Sequence, residues 1–230
     1  MVIHKNIIKA EFIRRPNRFQ GYVKINGDET LVHVPNTGRC KEILIPGCTV
    51  LLREENNPMR KTRYDLIAGY KGNKLINIDS QIPNKVVEEA LVNKKIEELA
   101  NYENIEREKV FGNSRFDFKL SDRYGRECYL EIKGVTLEDS GRTMFPDAPT
   151  ERGTKHLLEL VEARKQGKDA AVLFLIQMSE VTSFSPHDEM DKAFGEALRY
   201  ADNNGVNVLA YDCEVSENSI TLKNRVEVKM

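Results

Sequence analysis

FDFKLSDRYGRECYLEIKG, residues 116–134, holds two apolar-rich runs around the polar turn SDRYG. The runs Arg115 to Leu120 and Glu127 to Ile132, joined by that turn, read as two short strands, and residues two apart on a strand share a face. Glu131 and Lys133 then project together while Ile132 packs on the opposite side. If the strands pair antiparallel, Asp117 comes within reach of Glu131. One face thus gathers two carboxylates and an ammonium.

Upstream, Ile105 to Phe111 forms a third strand candidate, joined through GNS (112–114), so the region reads as a meander. Residues 85–99 show helical spacing of Val87, Ala90 and Leu91 with no interior Gly or Pro. Downstream, residues 134–153 lack periodicity. A helix is predicted over roughly 154–166, ending at Gly167. The almost wholly apolar run 170–177 fits a strand buried on both faces. A helix over about 188–203, a strand from 207 to 211 and a C-terminal strand or hairpin complete the pattern αβββαβαβ, a mixed sheet flanked by helices.

The first eighty residues differ in texture. Short apolar runs at 7–12, 21–25, 30–34, 48–52, 64–70 and 75–78 alternate with turn signals such as NGDE, IPG and KGNK. Five or six short strands of this spacing suggest a small closed barrel, because closure removes exposed edges. Oligonucleotide-binding and SH3-like barrels both fit. The domain boundary is placed near residue 82, giving domains 1–82 and 83–230.

Composition agrees with a globular protein: 40% hydrophobic and 31% charged residues over 230 positions. No apolar run is long enough to span a membrane, and the N-terminal MVIHKNIIKAEF lacks the apolar core of a secretory signal. A cytoplasmic location is expected. The four cysteines form no CxxC pair and read as free thiols. Residues 1–82 hold 14 Lys and Arg against 8 Asp and Glu, whereas residues 83–230 hold 21 against 28. A basic module joined to an acidic one suggests attraction of a polyanion to the first and a cation to the second. A nucleic acid is one polyanion that fits, and Arg14, Arg15, Arg18, Arg39, Lys41, Arg60, Lys61 and Arg63 are the basic residues that would contact its phosphates. Phe19, Tyr22 and Tyr64 are candidates for stacking on bases.

Hard divalent cations take oxygen ligands, and Mg²⁺ pairs one or two carboxylates with waters and substrate phosphate oxygens. Asp117, Glu131 and the backbone carbonyl of Ile132 supply such a set for Mg²⁺ or Mn²⁺, and Lys133 can orient water or offset phosphate charge. E-x-K on its own is a weak signal, since cross-strand ion pairs worth about 0.2–1 kcal/mol are ordinary on sheet surfaces. Its place at the end of an apolar strand, before a long loop, strengthens it. Glu88 or Glu89 of the first helix could add a carboxylate. Thr150, Arg152, Thr154 and Lys155, beside Glu151 and His156, could hold a phosphate at a helix start. Ordinary capping and surface charge is the favoured reading of them. No organic cofactor is expected, as no P-loop or dinucleotide fingerprint is present.

The chain also resembles the sugar fermentation stimulation protein A family. The resemblance rests on HVPNTGRCKEILIPG (33–47), RKTRYDL (60–66), SQIPN (80–84), GNSRFDFKL (112–120), YLEIKGVTLED (129–139), FPDAPTERGTKHLLEL (145–160) and LFLIQM (173–178), and it covers essentially the whole chain. It implies an N-terminal OB-fold barrel followed by a restriction-endonuclease-like, PD-(D/E)xK domain. In similar enzymes an aspartate and a Glu-x-Lys on adjacent strands hold the metal, which here fall on Asp117, Glu131 and Lys133. The resemblance further implies DNA binding and a regulatory role in sugar metabolism. Cys40 departs from the apolar residue expected there. Two other functions stay in view: a DNA-binding transcriptional regulator without catalysis, and a phosphate-ester enzyme or scaffold not acting on DNA. The basic half offers no assignable helix-turn-helix, which weakens the first of these.

Overall fold

Six strands open the chain: β1 (Ile7–Asn17), β2 (Gln20–Ile25), β3 (Asp28–His33), β4 (Thr49–Glu54), β5 (Tyr64–Lys71) and β6 (Lys74–Asn77). The computed structural model describes all 230 residues. β1 pairs with both β2 and β4, β5 lies beside β4, and a parallel bridge from His33 to Asp65 joins β3 to β5. That closure in the order β1-β2-β3-β5-β4 is the oligonucleotide-binding arrangement, and it decides between the two barrels that periodicity left open. β1 runs five residues beyond its apolar part, because Arg14 to Asn17 still pair with β2.

Helix α1 (Pro83–Val92) follows, with Pro at its first turn and Val86, Val87, Ala90 and Leu91 buried. It ends earlier than its spacing suggests. Lys94 adopts φ 54°, which breaks the helix, and Glu97–Leu99 form only a 3-10 turn. The meander is β7 (Asn104–Phe111), β8 (Ser114–Ser121) and β9 (Glu127–Val135). The loop expected over 134–153 contains two strands, β10 (Leu137–Asp139) and β11 (Arg142–Phe145). Helix α2 spans Glu151–Lys165, so it starts three residues earlier than predicted, with Thr150 as its cap.

The remainder is β12 (Asp169–Ile176), β13 (Ser183–Pro186), α3 (Lys192–Asn203), β14 (Asn207–Ser216), β15 (Ser219–Arg225) and β16 (Glu227–Val228). One sheet has the order β15-β14-β12-β9-β8-β7, with β9, β12 and β14 parallel and the flanking pairs antiparallel. β10, β11, β13 and β16 make a second, small sheet that the sequence did not reveal. Its strands are two to four residues long, too short for a period-2 pattern to register. β12 is buried on both faces, with Ala171, Leu173 and Leu175 on the α1 side and Val172, Phe174 and Ile176 on the other. No helix is long and apolar enough to cross a membrane.

The barrel and the second sheet share one apolar cluster, which includes Ile76 and Ile78 together with Val135, Met178 and Phe184. Polar contacts also cross the junction: Gln177 donates to Asn77 Oδ1 at 2.9 Å, and Lys71 lies 2.7 Å from Glu138. Burial pushes the Glu138 carboxyl up, but the Lys71 ammonium and the Gly141 amide outweigh it and hold the group below its ordinary value. Such a carboxylate stabilises the fold fully above the ordinary glutamate pKa of about 4.3 and loses that contribution as pH falls through the depressed value. Glu138→Gln should therefore lower stability at pH 7 by about 1–3 kcal/mol. The deficit should close in acid when melting curves of both proteins are compared down to pH 3. A deficit independent of pH would place its origin in packing rather than charge.

Candidate active site

β8 and β9 pair from Ser121↔Glu127 to Phe118↔Leu130, and no further. On the other side, β7 pairs with β8 at Phe118 and Phe116 but skips Asp117, opposite Glu108 with φ 50°. β8 turns over at this point. Phe116 packs against Tyr129 and His156 on the α2 side, whereas Phe118 joins the core on the α1 side. The Asp117 carboxylate occupies the opening, and its Oδ2 accepts the Ile132 amide at 2.8 Å in place of a strand partner. N–H and C=O of one strand residue point the same way, so the Ile132 carbonyl faces this opening too.

Glu131 and Lys133 share the α2 face of β9, with Lys133 Nζ 2.6 Å from Glu131 Oε1. Glu131 is 5% exposed. The same Oε1 meets His156 Nδ1 at 2.6 Å. His156 Nε2 accepts from Arg152 Nε at 3.4 Å, which leaves Nδ1 as the protonated nitrogen that donates to Glu131. Glu131 Oε2 takes no donor from the protein. Burial raises the Asp117 pKa, and the Glu131 charge adds to it. For Glu131, burial acts upward but is outweighed by the His156 hydrogen bond and the Lys133 ammonium, so its pKa is lowered. Two neighbouring carboxyls are thereby driven apart, one holding its proton longer than usual and one ionised early.

α1 brings a different residue from the two glutamates considered above. Asn84 donates to Asp117 Oδ1 at 2.7 Å. Glu88 instead pairs with Arg107 at 2.9 Å, and Glu89 with the N-terminal ammonium at 2.9 Å. Because Asn84 lies on the first turn, only the start of α1 reaches the opening; Glu88 and Glu89 sit a turn or more away. No three His, Cys, Asp or Glu side chains converge anywhere in the chain as a ready-made cation cage. Asp117, Glu131 and the Ile132 carbonyl are the oxygens available here.

The α2 start is mostly self-contained. Thr150 Oγ1 accepts from the Gly153 amide at 3.1 Å, Thr154 Oγ1 donates to the Thr150 carbonyl at 3.4 Å, and Lys155 reaches the Asn113 carbonyl at 3.1 Å. Arg152 alone leads inward, through His156. His156 and Asn84 were missed as site residues, and the only sequence signal for His156 was its place in the polar run 150–156.

The basic residues of the barrel fall into separate groups. Arg14, Arg15, Arg18, Arg39 and Lys41 surround one groove. Arg15 is used internally, donating to the carbonyls of Arg18, Asn36, Gly38 and Arg39 and so shaping the 36–39 loop. Arg60 and Arg63 lie apart from that groove, bound to Asp65 and to Glu54. Tyr22 is covered by Arg14, 3.7 Å above its ring, and Tyr64 by Arg63 at 5.5 Å, while Phe19 is exposed.

Comparison with known proteins places this arrangement. The family model described as "SfsA N-terminal OB domain" matches residues 13–78, and "Sugar fermentation stimulation protein RE domain" matches residues 81–219. The chain belongs to the sugar fermentation stimulation protein family. A family homolog from Clostridium kluyveri is 70% identical over 230 residues, all of both chains. One from Clostridium botulinum is 67% identical over the same span, again covering both chains in full. Among solved structures of the family, "The structure of Pyrococcus Furiosus SfsA in complex with Ca2+" is similar at 29% identity and a TM-score of 0.90, covering 100% of each chain. Its fold is thus that of an OB barrel joined to a restriction-endonuclease-like domain.

Proposed function

We propose that this member of the family binds DNA and hydrolyses its phosphodiester bonds at a divalent-cation centre formed by Asp117, Glu131 and the Ile132 carbonyl, with Lys133 beside them. The observation that carries the reading is the Asp117 carboxylate in the opening between β8 and β9, next to the Glu131–Lys133 pair. The oxygen set fits a hard cation: two carboxylates and one carbonyl, with Glu131 Oε2 unengaged and the remaining positions left to water and phosphate. The family relative from Pyrococcus furiosus, described in complex with Ca²⁺, supports a cation of this class. Mg²⁺ or Mn²⁺ bound there would polarise the phosphoryl group and acidify a coordinated water.

The chain's own groups then have separate tasks. Asn84 and the Ile132 amide fix the Asp117 carboxylate through two hydrogen bonds. His156 orients Glu131 from the opposite helix. Lys133, swinging from Glu131 to a phosphate oxygen, offsets the charge that grows there or aligns the attacking water. The role in sugar metabolism suggested by the family's name would act through this DNA binding.

The test is digestion of single-stranded, duplex and branched DNA by the purified protein with Mg²⁺ or Mn²⁺, beside Glu131→Ala. Cleavage by the wild type alone is expected. Binding without any cutting above the Glu131→Ala level would leave a DNA-binding protein and remove the enzyme. His156 gives a second check. Partners behind a metal ligand commonly contribute 10–100-fold, so His156→Ala should weaken Mn²⁺ binding by about that factor, with His156→Asn recovering part of it. Unchanged Mn²⁺ affinity in titration calorimetry of both variants would detach His156 from the centre.

A further inference from the structure

β9 runs past the proposed centre into a cavity of about 280 Å³ between the two domains. Thr37, Gly38 and Ser80 reach it from the barrel side, and Gly134, Asp147 and Gln177 from the other. No Lys, Arg or His lines it, so it holds nothing for a phosphate. Its character is the opposite of the cationic barrel groove. Leu137, Met144 and Phe145, each partly exposed, form an apolar wall.

Two oxygens in this cavity lack a donor from the protein, and the fold fixes which way they point. Gln177 is 1% exposed, and its Nε2 donates to Asn77 Oδ1 at 2.9 Å and to the Asp79 carbonyl at 3.2 Å. Asn77 Oδ1 is itself held as an acceptor by the Asp79 amide at 3.0 Å. Both partners demand a donor, so the amide nitrogen turns inward and Gln177 Oε1 is left over Gly134. A Cβ at Gly134 would come within 2.5 Å of that oxygen, so only glycine leaves it uncovered. Asp147 repeats the pattern: its Oδ2 accepts the Arg39 amide at 3.0 Å, and Oδ1 stays free. The Thr and Ser hydroxyls around them can donate or accept, so these two acceptors set the preference.

We infer that the cavity receives one extruded nucleobase and selects those carrying an amino group: guanine, cytosine or adenine, over thymine or uracil. A ligand here must be neutral, donate hydrogen bonds and lay an apolar face on the wall. An amino-bearing base does all three, whereas thymine presents a carbonyl where cytosine and adenine present a donor. Position favours the same ligand. Gly134 follows Lys133, and a strand advances about 3.3 Å per residue, so the cavity opens about 7 Å along β9 from Ile132. A base held there belongs to the nucleotide at the centre or to its neighbour. The volume lies at the lower end for ligand pockets, room for one base and not for a pair, so the base must leave its stack. Extrusion is easiest at a mismatched, damaged or unpaired position, which makes such positions the favoured substrates. The inference rests on the DNA reading above and adds to it what is read beside the phosphate.

The experiment uses the full chain without divalent ions, so that cleavage does not intervene, and two probes. The first compares deoxycytidine with deoxyuridine by saturation-transfer NMR, a pair of equal size in which an amino donor is exchanged for a carbonyl. Deoxycytidine should bind about tenfold more tightly, the worth of one hydrogen-bonded group. In Asp147→Asn the Arg39 amide claims the one remaining oxygen, so the new NH₂ faces the cavity and the preference should vanish or reverse. Circular dichroism checks that this variant is folded. The second probe is 2-aminopurine, an amino-bearing base, placed at a mismatch in duplex DNA. Its fluorescence should rise when wild type binds, and rise less with Asp147→Asn bound to the same extent. Equal affinity for the two nucleosides, or a preference that Asp147→Asn leaves unchanged, overturns the selection. DNA bound without any rise in fluorescence overturns extrusion while leaving DNA binding intact. A rise that Asp147→Asn diminishes supports the inference even where free nucleosides are not held. No DNA binding at all overturns the proposed function and extrusion with it, whereas discrimination between the nucleosides would still establish the base site.

Discussion

Lys133→Ala is expected to slow single-turnover DNA cleavage by about 10²–10³-fold, the usual cost of removing one charge-stabilising donor from an active site. DNA affinity should hardly change, because Lys133 is one half-buried ammonium paired to Glu131, far outnumbered by the barrel's cations. Glu131→Ala should behave differently. It removes a carboxylate of the proposed cation centre, so ion binding and cleavage should disappear together. It also leaves Lys133 and His156 without their shared acceptor, which makes a folding control necessary. Glu131→Gln meets that need: it keeps an acceptor for both neighbours while withdrawing the charge that a cation requires. Matched binding titrations and single-turnover cleavage for the three variants separate the roles. Cleavage by Lys133→Ala at the wild-type rate would remove Lys133 from the reaction, whatever its position.

The largest loss of stability is expected from Arg53→Ala. Arg53 donates to Asp79 at 2.7 Å, to Asp65 at 2.9 Å and to Glu55 at 2.7 Å, and it is only 15% exposed. Asp79, 1% exposed, has no other cation to turn to, whereas Asp65 keeps Arg60 and His33. Breaking a buried pair from one side leaves an uncompensated charge and costs about 3–5 kcal/mol. Asp79 also caps the turn into α1 by accepting the Gln81 amide at 2.9 Å, so the damage should spread to the start of the helix that carries Asn84. Arg53→Ala combined with Asp79→Asn should recover much of the loss, since the orphaned charge is then gone. Denaturant unfolding of the single and double variants measures this, and a double variant no more stable than Arg53→Ala would assign the loss to packing.

Both predictions concern groups whose partners were only partly visible in the chain's order. Glu131 and Lys133 could be placed on one face because a strand's side chains alternate with period 2, a property of two neighbouring residues and nothing more. β12 was legible for a similar reason, since a short run of apolar residues has few other uses. The barrel was visible as a series of strands and turns, yet its kind was settled by the single bridge from His33 to Asp65.

What the sequence determined by itself, then, was local: the alternation of strands, the texture change after residue 82, the Glu-Ile-Lys face and the family motifs. Tertiary structure decided what those residues meet. Asp117 enters the site because β8 parts from β9 at Phe118, and no pattern within FDFKL encodes that parting. His156 reaches Glu131 from a helix 25 residues downstream, and Asn84 reaches Asp117 from one 33 residues upstream. Counting charges gave the barrel its basic excess but could not show that Arg60 and Arg63 are held by Asp65 and Glu54 while Arg18, Arg39 and Lys41 are left free. The physical reason is the same in each case. Backbone periodicity is set by bonded neighbours, whereas the partner of a carboxylate or guanidinium is set by which distant segment folds back against it.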